Sequence, residues 1–182
     1  MKVQLTLTAI VFALSIHTTA AAEGKNPPAA ASTKKDKEMT AAAAATTATK
    51  SAADVVKGFF DAFGKGDGEA VVNSFHKDAV ITAVRKGERK GTQLHGTYNG
   101  QQGAKDFVTN LGKNFDTKAF SVDSVIGEGN VAFASGAFVH NIRTTGKPYA
   151  SDWALKVIVK DGKILEYHFY EDSAGFVEAS KN

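Results

Sequence analysis

The side chains best suited to proton transfer near neutral pH are four histidines, His76, His95, His140 and His168; a fifth, His17, follows an N-terminal apolar run. The four stand on separate segments, and no two share the spacing that lets one helix hold a metal. No HExxH is present, and cysteine is absent altogether. No metal site is therefore expected. The lack of cysteine also excludes a thiol nucleophile, a disulfide scaffold and a lipid-modified cysteine. No serine stands in a GxSxG elbow, and the glycines of GTYNGQQG (96–103) do not form a phosphate-binding loop. Covalent catalysis has no candidate, and no cofactor is expected. His140 is the residue to test first as a general acid or base, because an unperturbed imidazole titrates near working pH. The alternative is a strand-end histidine bonded to a neighbour.

The segments that must position these groups are read from apolar spacing. Ser51 with Asp54 resembles a capping box, and Val55, Val56, Phe59, Phe60 and Phe63 form one helical face ended by Gly64 and Gly66. A second, short helix starts near Asp67 and buries Val71, Val72 and Phe75. A strand is predicted near 79–84, a polar loop over RKGERKGTQ (85–93) and an edge strand near 94–98. Asn99-Gly100 marks a turn into a third helix carrying Ala104, Phe107, Val108, Leu111 and Phe115. The period then becomes alternating, with strands near 117–126, 131–142, 149–160 and 163–171. Asp161-Gly162 is a two-residue hairpin signal, and Asp172 or Ser173 caps a short terminal helix, SAGFVEA. This order predicts an α+β domain with its helices gathered on one face of a bent, mostly antiparallel sheet.

The chain has 182 residues and a formal net charge of +3. Lys2 supplies one positive charge, residues 23–50 hold five lysines against three acids, and residues 51–182 hold 16 bases and 16 acids. The excess belongs to the tail, so the domain has no clustered field for phosphates and nucleic acid is not an expected partner. Residues 1–22 read as a secretory signal peptide, with cleavage after Ala22 or Ala20. A membrane anchor is the alternative, but the apolar core of about 14 residues falls short of the ~20 a span needs. The expected location is periplasmic or secreted, with no membrane attachment after cleavage. Residues 23–50, rich in Ala, Thr and Lys and without aromatics, read as a disordered linker. Residues 51–182 form the domain.

The element order, with FFDAFGKGDGEAVVNSFHKDAV, YNGQQGAKDF and TTGKPYASDWALKVIVKDGKILEYHFYED, resembles the nuclear-transport-factor-2-like superfamily across residues 52–178. The nearest branch is the SnoaL-like, ketosteroid-isomerase-related group. The resemblance implies a cone-shaped half-barrel in which three helices and the concave sheet enclose a pocket, with a short C-terminal helix and often a homodimer through the convex face. Ketosteroid isomerase chemistry needs a carboxylate base and an oxyanion hole of a tyrosine and a protonated aspartic acid. On this resemblance the tyrosine position falls on Phe59, the base on Ala83, and the second acid on Leu155, or on Ala154 with a one-residue shift. All three groups are missing.

The same alignment points Ala134, Gly136, Phe138 and His140 inward on one strand, Trp153, Leu155 and Val157 on the next, and Leu165, Tyr167 and Phe169 on the last. Asp152 then faces outward. With Phe59, Phe63 and Ala83 these residues line an apolar pocket short of ionisable groups, holding one imidazole, one indole and one phenol. A reversed parity would instead bring His168, Tyr170 and Asp172 inside. The expected function is an exported protein binding a small apolar or aromatic molecule. Two alternatives stand beside it: an acid–base enzyme of the cyclase, dehydratase or isomerase type using His140 with Tyr167 or Asp152, and a dimeric interaction module without a ligand.

Overall fold

A computed structural model describes residues 50–181; the predicted leader (1–22) and all of the linker but Lys50 lie outside them. Helix α1 (Ala52–Gly64) starts where the Ser51 hydroxyl accepts from the Asp54 amide at 3.1 Å and donates to the Asp54 carboxylate at 2.7 Å. It buries Ala52, Val55, Val56 and Phe59. Helix α2 (Gly68–Asn73) is capped by Asp67, whose carboxylate accepts from the Ala70 amide at 2.9 Å. Strand β1 (Phe75–Ala83) begins four residues earlier than its alternation suggests, and β2 (Gly96–Asn99) forms the edge. Helix α3 (Gly100–Asn114) follows at once, turned by Gly100 at φ 64°.

The run expected as one strand near 117–126 is two, β3 (Phe115–Phe120) and β4 (Ser124–Glu128), both paired with β5 (Val131–Ile142). Between them Ser121 and Asp123 donate their amides to Ala137 and Ser135, each at 2.8 Å. The crossover is possible because β5 carries Gly136 there: a β-carbon at that position would collide with the Ser121 carbonyl and the Trp153 ring. Strands β6 (Pro148–Lys160) and β7 (Lys163–Glu171) follow, then α4 (Ser173–Ala179), capped by Asp172.

The sheet runs β2-β1-β7-β6-β5-β3, curved and unclosed, antiparallel except for the β1–β7 pair. Parity is as the resemblance implied on β5 and β6, where Ala134, Phe138, His140, Trp153, Leu155 and Val157 are all buried. On β7 a register shift at the β6 pairing overturns one expectation. Ile164 enters the core fully buried while Leu165 is only half-buried, because the bulge moves the alternation by one residue. Tyr167 and Phe169 remain inward, and the reversed parity is excluded: His168 and Tyr170 lie outside, the Tyr170 hydroxyl against His168 Nδ1 at 2.9 Å.

Two glycine substitutions separate these effects. Gly136→Ala is expected to destabilise the domain by about 1–3 kcal/mol through overpacking. Gly58→Ala, on the exposed middle of α1 with open space around it, is expected to stabilise it by about 0.5–1 kcal/mol. Urea denaturation of both variants checks the opposite signs.

Candidate functional site

The inner face of the sheet, α1 and α3 leave a cavity of about 60 Å³ between them. A single water needs only about 10–15 Å³ on this measure, so the space admits several waters or a molecule of a few heavy atoms. Its wall is aromatic. Phe59 meets Phe75 edge-on at 5.7 Å and lies 5.7 Å from Tyr167, while Phe107 lies 5.5 Å from Tyr167. Of the residues expected to line a pocket, Phe59, Phe63, Ala83, Phe138, His140, Tyr167 and Phe169 border the cavity. Trp153 and Leu155 point inward but do not border it. Trp153 is stacked between Phe120 and Phe169 at 5.2 and 5.4 Å, with its indole Nε1 enclosed and unpartnered among the described residues. Asp152 is exposed on the opposite face.

His140 lies between Phe115 and Phe138, its ring stacked at 4.4 and 4.2 Å on the two phenyl groups. Its Nδ1 is enclosed without a hydrogen-bond partner among the described residues. Burial alone lowers its pKa to about 4, because an apolar surrounding disfavours the charged ring. At neutral pH the group is an uncharged imidazole.

The cavity is less greasy than the sequence led us to expect. Glu171, two residues beyond Phe169 on the inward parity of β7, turns its carboxylate into the wall, and His95 Nε2 donates to Glu171 Oε1 at 2.8 Å. Their side chains are 4% and 10% exposed. The chain reaches His95 through the loop after β1. That loop leaves the strand at Val84, held at φ 66°, a costly conformation for a β-branched residue. It is pinned near its far end, where the Tyr98 hydroxyl donates to the Leu94 carbonyl at 2.7 Å and Arg89 sits 3.4 Å over the Tyr98 ring. From α4, Phe176 packs against the His95 ring at 4.4 Å. Burial and the Glu171 charge together push the phenols of Tyr167 and Tyr149 well above their usual range. The Tyr149 hydroxyl donates to the Asp172 carbonyl at 2.9 Å, whereas Tyr167 borders the cavity.

Alternation beyond Phe169 was the signal that could have found Glu171. His95 had none, since its partner is 76 residues away. Among the described residues no three His, Asp or Glu side chains converge as a metal site.

A SnoaL-like domain model matches residues 56–167. The chain belongs to the SnoaL-like domain family. It is 33% identical over 75 residues to patulin synthesis protein F of Aspergillus clavatus, a match covering 41% of this chain and 38% of that protein. A solved NTF2-like protein from Burkholderia thailandensis superposes with a TM-score of 0.63 at 20% identity, over 73% of this chain and 99% of the other. TerC, crystallised with polyporic acid, superposes with a TM-score of 0.59 at 20% identity, over 70% and 96% of the two chains. These likenesses fit the cone-shaped form of the SnoaL-like fold.

The buried imidazole makes a pH prediction. Unfolded, His140 takes up a proton below about pH 6.5; folded, it stays neutral until about pH 4. The unfolded state therefore binds more protons between these values, and acidification costs up to about 1.4 kcal/mol of stability per pH unit. Chemical denaturation across this window should show a pH slope that is shallower by up to this amount in His140→Phe than in the wild type.

Proposed function

We propose that this SnoaL-like domain is exported and binds a small molecule, largely apolar or aromatic, in the cavity between its sheet and helices. The observation that carries the reading is an aromatic-walled cavity whose lining includes a hydrogen-bonded imidazole–carboxylate pair. Binding sites combine apolar walls with a few placed polar groups in this way. The apolar residues supply contact area, and Glu171, His95 and the Tyr167 hydroxyl orient one polar group of the ligand. Export rests on the composition of the leader, and the crystallisation of TerC with polyporic acid supports a small organic occupant in this fold. Steroid-isomerase chemistry is not part of this reading, because the resemblance puts Phe59, Ala83 and Leu155 (or Ala154) at the positions of its three groups.

Acid–base turnover is the second reading, and the His95–Glu171 pair favours it. His140, uncharged at neutral pH, suits a hydrogen-bonding role better than a proton donor's. Under this reading Glu171 and His95 move the proton and His140 holds the substrate.

Ligand-observed NMR with a panel of monocyclic phenols tests the binding reading. Saturation transfer to at least one phenol is expected. Ala83→Leu, which extends a cavity-wall side chain into the space, is expected to weaken that binding tenfold or more while leaving the fold intact. No transfer from any phenol, or binding indifferent to Ala83→Leu, would remove the reading.

A further inference from the structure

The cavity is bordered by one acidic side chain and by no lysine or arginine. Eight phenylalanines and Tyr167 present rings to it. Its one carboxylate is Glu171, 4% exposed and bonded to His95 through a single oxygen. His140 contributes no positive charge at neutral pH, and both nearby phenols are held protonated, partly by the field of Glu171 itself. A neutral guest gains little from that field, and an anion is repelled by it. The faces of aromatic rings carry negative quadrupole density and attract cations, most strongly where water is excluded. The cavity is also small, about 60 Å³, which selects a compact guest.

We propose that the occupant of this cavity is a small organic cation, an alkylated ammonium of a few heavy atoms, with its alkyl groups against Phe63, Phe138 and Phe169 and its charge facing the Glu171 carboxylate. The inference rests on the small-molecule reading above and names the chemical class of the ligand. His95 meets Glu171 at one carboxylate oxygen, Oε1, at 2.8 Å. It is a positioning residue that holds the carboxylate through one oxygen.

The test uses the full chain with two nearly spherical probes of equal heavy-atom count, tetramethylammonium and tert-butanol. Their affinities are measured by calorimetry or protein-observed NMR, in the wild type and in Glu171→Gln and His95→Gln. The wild type is expected to bind tetramethylammonium at least tenfold more tightly than tert-butanol. Glu171→Gln should lose that preference and keep its affinity for tert-butanol. His95→Gln, which retains a neutral donor for the carboxylate, should bind the cation as tightly as the wild type or more so. Equal affinities in the wild type, or equal loss of the cation in both variants, would overturn the inference, the latter by making the pair purely structural. The wild-type comparison stands even if a variant fails to fold. Binding of tert-butanol without the cation would sink the cation proposal and leave the small-molecule reading intact, whereas failure of both probes would count against both.

Discussion

A buried carboxylate in the lining of an aromatic cavity is the constraint around which one end of this domain is arranged. Taking an ionised carboxylate out of water costs several kcal/mol even after the protein relaxes, unless a partner of good geometry stands beside it. Glu171 has such a partner in His95, 2.8 Å away, and three separate segments are needed to bring them together. Strand β7 must keep its inward parity past Phe169. The loop after β1 must return along the pinned Arg89–Tyr98 contact to deliver His95. Helix α4 must dock so that Phe176 covers the imidazole, and its docking rests on Asp172, whose carboxylate caps the helix and whose carbonyl takes the Tyr149 hydroxyl. The short C-terminal helix therefore backs the site's wall from behind His95.

His140 illustrates the same physics with the opposite solution. It has no charged partner, so the apolar stack of Phe115 and Phe138 keeps it neutral. Two imidazoles on one cavity thus have different jobs set by their neighbours. One lies between two phenyl rings as an uncharged group with an unpartnered nitrogen, and the other is bound to an acid. A buried imidazole perturbed in this way at a cavity wall is a common mark of a functional site.

Much of the fold was legible because burial imposes simple periods. The capping residues Ser51 and Asp67, the apolar face of α1, the long strands β5 to β7 and the Asp161-Gly162 turn follow from local chemistry and spacing. What escaped was set by contacts distant in sequence. The division of β3 from β4 depends on the absent side chain of Gly136 fifteen positions beyond Ser121. The Leu165 bulge depends on how β6 and β7 pair. Seven of the nine expected lining residues border the cavity, since strand alternation and a helix face are enough to place them. Trp153 does not, because Phe120 and Phe169 enclose it on both sides. The His95–Glu171 pair escaped for a different reason: an irregular loop delivers one member, and no period describes such a loop.

An aromatic-walled cavity with a buried carboxylate in its lining receives a small guest: that is the central claim. A crystal structure of the protein grown with tetramethylammonium or a monocyclic phenol tests it most directly. The account predicts electron density for the guest among Phe138, Tyr167 and Phe169, within reach of a Glu171 side chain still bonded to His95. A cavity closed by its own side chains, with Glu171 turned out to solvent and no guest inside, would contradict it.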